Sequence, residues 1–169
     1  MEEILRGFVD ESKSIISEML QILEGIEEDP GRYKQLADVS LFADQMMGGA
    51  KLIALDLPND HLIQKVAAFT ELCKIVGKEG VKIEKNPVLT GIITAFLLDA
   101  FEVLQDLNSR LESNDATDFN EVLNKTMLER LKMLSVKFDE NRQLTGTISK
   151  ESARSAQEDI DALLKQMGV

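Results

Sequence analysis

The sequence predicts an all-α protein, in which an antiparallel four-helix bundle is followed by a fifth helix and a tethered C-terminal amphipathic helix. Two observations predict this class. Apolar residues recur at steps of three and four through most of the chain, which is the period of one helix face. Pro, Gly, Asn and Asp cluster between these segments, where helices begin or end. Because the connections between the first four helices are short, neighbouring helices are expected to run in opposite directions.

The first two helices are separated by a clear turn signal. The apolar face of the first helix continues to Ile26 and ends before "EEDPGRY". Asp29 can cap the second helix, with Pro30 in its first turn, and "DLPND" closes that helix.

The third and fourth helices are separated by a predicted charged loop, "GKEGVKIEKN". The third helix is predicted from about Asp60 to Val76, with Gly77 in the position of a C-terminal cap. Asn86 and Pro87 start the fourth helix, which is the most apolar.

The rest of the chain contains a fifth helix, from about Asp118 to Phe138, and a C-terminal helix. We therefore predict four segments: a four-helix bundle at 1–113, an additional helix within 114–140, a linker at 141–154 and the C-terminal helix at 155–169. Ser155 and Glu158 have the spacing of a capping box in this last helix. Its apolar stripe can dock on its own bundle or enter a partner's groove, and periodicity leaves both open.

Composition narrows the partners and the compartment. The formal net charge of −11 disfavours nucleic acid and anionic membrane surfaces, since both would repel the protein. One cysteine, Cys73, excludes an internal disulfide and is compatible with a reducing compartment. The sequence shows no secretory signal and no uninterrupted apolar run of membrane-spanning length, so we expect a cytoplasmic protein without membrane insertion. A homodimer is also compatible with the sequence.

The segment "AQEDIDALLKQMG" resembles the short receiver-binding peptides of bacterial chemotaxis, which read Ser/Ala-Gln-acidic-x-Ile/Val-Asp-x-Leu-Leu-x-x-Leu/Met-Gly. Such peptides occur in the phosphatase family CheZ and the flagellar switch family FliM, and they bind the response regulator CheY. The resemblance implies that four apolar residues fill a groove on a CheY-type receiver domain: Ile160, Leu163, Leu164 and Met167. It also implies that Gln157 and Asp161 fix the register, and Gly168 matches the final glycine.

A second stretch contains two consecutive glycines, although an interior Gly costs a helix about 1 kcal/mol relative to Ala. Residues 2–113 resemble a histidine phosphotransfer (HPt) domain of the type at the N-terminus of the chemotaxis kinase family CheA. That family reads Ala-His-x-Leu/Ile-Lys-Gly-Gly/Ser-Ala around its phosphorylated residue, and this chain reads Ala43-Asp44-Gln45-Met46-Met47-Gly48-Gly49-Ala50. The resemblance implies that Gly48 and Gly49 form a docking face that a receiver approaches closely. Alternatively, these small residues let two helices of the chain itself pack tightly.

The departures from the HPt pattern predict that phosphotransfer is lost. Asp44 stands where the family has its phospho-accepting histidine, and Met47 stands where it has an assisting lysine. A carboxylate without an acidic metal pocket does not stabilise an acyl phosphate. His61, the only histidine, lacks the Lys-Gly-small pattern and is expected to face solvent or lie in a capping region.

Three functions remain open at this stage. The chain would bind a CheY-type receiver and modulate its phosphorylation or location, or it would hydrolyse the receiver's aspartyl phosphate as a CheZ-like phosphatase. For the phosphatase, Asp44 and Gln45 are the candidate catalytic residues, although adjacent helical residues point about 100° apart. The third possibility is a structural helical protein unrelated to signalling. We expect no cofactor of the chain's own, and any Mg²⁺ would belong to the receiver.

Other pairs have phosphatase-like spacing. The Asp-x-x-x-Gln spacing of CheZ occurs at Asp60/Gln64 and at Asp139/Gln143, and chance supplies it often in an acidic chain. Glu121-x-x-Asn124 has the spacing of the CheC and CheX phosphatases without their α/β context, so we discount it.

Overall fold

The structure, a computed structural model, describes residues 1–113, 119–146 and 154–169. Within these ranges every regular element is helical, so the all-α prediction is confirmed. A six-residue 3₁₀-helix, Pro30–Gln35, lies between the first two α-helices. The α-helices are α1 (Glu2–Glu28), α2 (Leu36–Ala54), α3 (Leu62–Val81), α4 (Pro87–Ser113), α5 (Phe119–Val122), α6 (Lys125–Thr145) and α7 (Ala156–Met167).

The core is formed where α1 to α4 bury their apolar faces against one another. The most extensive pairing is between α2 and α3, and α1 packs on both α4 and α2. Pairs of contacts give the directions of the first three helices. Glu11 and Phe8 of α1 lie beside Gln45 and Gly49 of α2, and the ion pairs Asp44–Lys74 and Lys51–Glu71 join α2 to α3, so that α2 runs antiparallel to both neighbours. The largest fully buried side chains in this core include Phe69, Phe96, Phe101, Ile16, Met19 and Leu23.

Side-chain caps lie at the predicted starts of the third and fourth helices, whereas the second helix begins later than predicted. The Asp29 carboxylate accepts a hydrogen bond from the Gly31 N–H at 3.0 Å, although the element it caps is the 3₁₀-helix and α2 itself begins at Leu36. His61 Nδ1 accepts from the Ile63 N–H at 3.2 Å, so this histidine caps α3. Asn86 Oδ1 likewise accepts from the Leu89 N–H at 3.1 Å, at the start of α4.

The third helix does not end at Gly77, as the sequence suggested, but continues to Val81. The predicted charged loop is therefore helical in its first half. A Cβ added to Gly77 would lie 3.3 Å from the backbone oxygen of Leu36 and from the backbone nitrogen and Cβ of Ser40. Gly77 thus lets α2 and α3 approach closely, and small residues at a helix crossing explain the glycine better than a cap does.

The C-terminal part of the fold also differs from the prediction in its boundaries. The fifth helix is divided into α5 and α6, and Asn124 caps α6 by accepting a hydrogen bond from the Met127 N–H at 2.8 Å. The first residues of the predicted linker extend α6 to Thr145, and Gly146 follows with φ of 63°, the left-handed conformation of a helix C-terminus. Residues 147–153 of that linker lie outside the described residues.

Helix α4 is long and apolar enough to cross a membrane, judged by length and composition alone. Half of its most apolar window is buried inside the protein. A core helix of this length passes the same test, because its apolar face is covered by other helices instead of lipid.

The close approach of α2 and α3 predicts how two glycines respond to the same substitution. We expect Gly77→Leu to lower the free energy of unfolding by about 1–3 kcal/mol, because the side chain must displace backbone atoms of α2. Gly7→Leu is the matched control, since Gly7 is exposed in α1 and an added Cβ meets nothing within 4 Å. Chemical denaturation measures both. Equal effects of the two substitutions would contradict the close-packing role of Gly77.

Candidate functional site

The outward face of α2 carries an exposed apolar stripe that surrounds Gly48. Leu41, Leu52 and Leu55 are 67%, 69% and 81% exposed. Together with Gln45 and Gly48 they recur at alternating steps of four and three, so all five positions share one helix face. Exposed leucines are ordinary one at a time, but three on one helix face make this face a candidate interaction surface, although Gln45 and Gly48 separate Leu41 from the other two.

The two candidate catalytic residues diverge from each other on this helix. The Asp44 carboxylate forms an ion pair with Lys74 of α3, with 2.5 Å between Oδ1 and Nζ. The Gln45 amide instead donates to the Glu11 carboxylate of α1, at 3.1 Å. Asp44 and Gln45 therefore contact two different helices and do not converge on one point.

The two glycines of the docking face have different surroundings. A Cβ added to Gly48 would meet nothing within 4 Å, whereas one added to Gly49 would lie 3.4 Å from the ring of Phe8, an ordinary van der Waals contact. Neither glycine is required by the packing of the described helices in the way that Gly77 is. The tight-packing explanation of the Gly-Gly pair therefore lacks a contact at Gly48.

In each of the other pairs with phosphatase-like spacing, one residue forms a hydrogen bond with the backbone of the chain itself. Asp60 lies in the turn before α3, and the Gln64 amide donates to the backbone oxygen of Ala54 at 2.9 Å. Asp139 hydrogen-bonds backbone N–H groups at the start of α7, while Gln143 is exposed. Asn124 of the Glu121 pair is the cap of α6.

The C-terminal helix α7 lies on the chain's own α3 and α6. Three of the four predicted apolar contact residues are buried there: Ile160, Leu163 and Met167 are 2%, 6% and 0% exposed. Leu164 is half-buried at the edge of this contact, while Gln157, Asp161 and Gly168 are exposed. The predicted capping box is confirmed, because Ser155 Oγ accepts from the Glu158 N–H and the Glu158 carboxylate accepts from the Ser155 N–H.

Polar contacts from α6 hold the start of α7 in place. The Asp139 carboxylate accepts hydrogen bonds from the N–H groups of Ala156 and Gln157, at 2.7 and 3.3 Å. Arg142, one turn further along α6, donates to the backbone oxygen of Arg154 at 3.2 Å and to the carboxylate of Glu79 at 2.6 Å. A carboxylate at a helix N-terminus also interacts favourably with the helix dipole. Sequence reasoning missed these contacts, because it placed Asp139 and Arg142 near a linker.

Glu79 is the buried member of this group. Its side chain is 3% exposed, with Arg142 and Lys82 on one oxygen, while Oε2 has no hydrogen-bond partner among the described residues. Burial by itself raises the pKa of this carboxyl, but hydrogen bonds and charge from Arg142 and Lys82 outweigh it, so that the pKa lies below its ordinary value.

Other chemistry is sparse in the part of the chain that the structure describes. No group of three or more His, Cys, Asp and Glu residues there is placed to hold a metal ion. Burial raises the pKa of the Cys73 thiol, which keeps it in the unreactive protonated form. A cavity of about 640 Å³ has a lining that includes Leu5, Val9, Leu57, His61 and Leu111.

No protein-family model, no curated protein and no solved structure matches this chain.

The lowered pKa of Glu79 predicts an acid-sensitive part of the stability. A group with a depressed folded-state pKa stabilises the fold above its unfolded pKa, and this contribution is lost as pH falls through the folded value. The ordinary pKa of a glutamate carboxyl is 4.5. As the pH is lowered below about this value, we expect the free energy of unfolding to decrease more steeply in the wild type than in Glu79→Gln. Denaturation at several pH values measures the slope. Glu140→Gln, at an exposed position on α6, is the control; a slope unchanged in Glu79→Gln would contradict the assignment.

Proposed function

We propose that this chain is a chemotaxis or two-component signalling protein that binds a CheY-type receiver domain and modulates its phosphorylation or location, without histidine phosphotransfer. One observation carries the proposal. The exposed apolar stripe of α2 is centred on Gly48, where an added Cβ would meet no atom of another helix within 4 Å. Gly7 and Gly91 are equally unobstructed, so the support comes from the place of Gly48 on the α2 face: close approach of a partner there would explain a glycine that costs helix stability and relieves no internal contact.

The same proposal includes an HPt-like four-helix bundle formed by α1 to α4. Asp44 would occupy the place of the phospho-accepting histidine, on an exposed helix face beside the apolar stripe. The Asp44 carboxylate is paired with Lys74. Unlike histidine, aspartate has no imidazole nitrogen that could accept a phosphoryl group. The face therefore supports docking while the residue that would carry the phosphoryl group is missing.

The antiparallel register of α1 and α2 extends the docking face onto α1. Glu11 contacts Gln45, and Phe8 lies beside Gly49, so the same register brings the exposed Ile4 to the level of Leu52. Two neighbouring helices then present apolar groups on one side. A receiver would cover this surface, which is wider than the face of a single helix.

Binding without catalysis is favoured over the phosphatase alternative by the divergence of Asp44 and Gln45. In-line hydrolysis of an aspartyl phosphate needs a group that orients water while another holds it, both directed at one phosphorus atom. Asp44 and Gln45 point to α3 and α1, respectively. The alternative of a structural helical protein unrelated to signalling is favoured by a different observation, the burial of the α7 stripe on the chain's own helices.

If a receiver docks on the α2 face, a larger side chain should weaken receiver binding when it is placed on that face and not when it is placed elsewhere. Gly48→Leu should weaken binding of a phosphorylated CheY-type receiver at least tenfold, because the new side chain fills the space that the receiver's backbone would occupy. Gly91→Leu is the matched control, since Gly91 is exposed in α4 and an added Cβ there also meets nothing within 4 Å. Titration calorimetry measures both affinities. Equal affinities of the two variants would remove the α2 face from the proposal.

The proposed loss of phosphotransfer predicts the outcome of one phosphorylation assay, and binding without catalysis predicts the outcome of a second. Incubation with a phosphorylated CheA-type kinase should leave the chain unlabelled. Saturating protein should leave the receiver's own phosphate half-life unchanged, as expected for an adaptor. A shortened half-life would support the phosphatase alternative; Gln45→Ala, with the exposed Gln105→Ala as control, then tests whether the Gln45 amide acts. Acid-labile, base-stable label on His61 would contradict the loss of phosphotransfer.

A further inference from the structure

Helix α7, which the resemblance to receiver-binding peptides implies would bind a receiver, has its apolar face already covered inside the chain. Ala156, Ile160, Leu163 and Met167 form the buried side of α7 against α3 and α6, and each is at most 6% exposed. The opposite side exposes polar residues, among them Gln157 and Asp161. A twelve-residue helix with one apolar stripe cannot cover a receiver groove and its own groove at the same time.

We infer that the groove between α3 and α6 is an autoinhibitory site that competes with the receiver for the apolar face of α7. This inference rests on the proposed function. In the closed state the stripe is covered, so the receiver can bind α7 only in the fraction of molecules that have released it. If ~1% of molecules are open, the apparent affinity through α7 is reduced ~100-fold.

The polar contacts at the start of α7 control the closed state. Asp139 accepts two N–H groups that have no partner within α7 itself, because the first N–H groups of a helix lack intrahelical acceptors. Arg142 connects the backbone of Arg154 to the buried Glu79 of α3, so that α3, α6 and the beginning of α7 are tied together. Loss of the Asp139 carboxylate removes acceptors at the point where α7 would begin to detach.

Asp139 is suitable for the test because its neighbour provides a control. Asp139→Ala removes both acceptors for the start of α7. Glu140→Ala removes an exposed carboxylate that pairs with Lys137 within α6, three residues away, and forms no hydrogen bond or ion pair with α7 among the described residues. Both are single-carboxylate deletions of equal charge change on the same helix turn, so their difference reports the contact with α7.

The experiment combines two measurements on the full-length chain. Hydrogen exchange of the α7 amides, measured without any receiver, should become about tenfold faster in Asp139→Ala and stay unchanged in Glu140→Ala. Titration with a phosphorylated CheY-type receiver domain should show about tenfold tighter binding for Asp139→Ala than for Glu140→Ala or the wild type. Circular dichroism checks that the helical content of the rest of the chain is retained.

The two measurements separate the possible failures. Unchanged exchange of α7 in Asp139→Ala would overturn the role of Asp139 in closure. Faster exchange with unchanged receiver affinity would overturn the competition, because the receiver would then bind without using the apolar face of α7. Absence of receiver binding by every variant, with α7 exchange accelerated, would overturn the proposed function and with it the competition, while the intramolecular closure would stand.

Discussion

The close crossing of α2 and α3 is the contact on which the rest of the arrangement depends. Gly77 and Gly80 remove side chains where α3 meets Leu36, and the Ser40 hydroxyl donates to the backbone oxygen of Lys74 across the same contact. This approach fixes the rotation of α2 about its axis. Once Val39, Ala43, Met46 and Ala50 face the core, the positions of Leu41, Gly48 and Leu52 must face outward. The candidate docking face is therefore a consequence of how α2 is buried.

Ion pairs beside this crossing set the side-chain directions on α2 more than they set its stability. Asp44 with Lys74 and Lys51 with Glu71 join α2 to α3 at partly exposed positions, where such pairs contribute about 0–1 kcal/mol each. The Asp44–Lys74 pair has a larger effect on side-chain direction, because it holds the Asp44 carboxylate toward α3 while Gln45 contacts α1. The separation that helix geometry requires of adjacent residues is thus reinforced by partners on two different helices.

In the C-terminal part of the chain, polar side chains of α3 and α6 determine where the amphipathic helix α7 binds. The stripe of α7 supplies the apolar area, which any groove of similar shape could cover. Asp139 and Arg142 add directional hydrogen bonds to the start of α7, and the buried Glu79 fixes Arg142 in turn. Buried ion pairs of this kind contribute little net stability in general, but breaking one is costly, so they favour a single arrangement.

The sequence by itself determined that the chain is helical and which residues form the apolar faces, because these depend on residues within a few positions of one another. It did not determine every helix boundary, since α2 begins later than predicted and α3 continues past Gly77. His61, Asn86 and Ser155 accept hydrogen bonds at the starts of α3, α4 and α7, near the predicted helix starts, whereas Asp29 caps the 3₁₀-helix instead of α2. Only the tertiary structure decided that Gly77 lies at a helix crossing while Gly48 faces open space, since both are interior glycines in a helical pattern. It also decided that the α7 stripe lies on α3 and α6. Periodicity specifies that an apolar face is to be covered, and contacts between residues distant in the sequence determine what covers it.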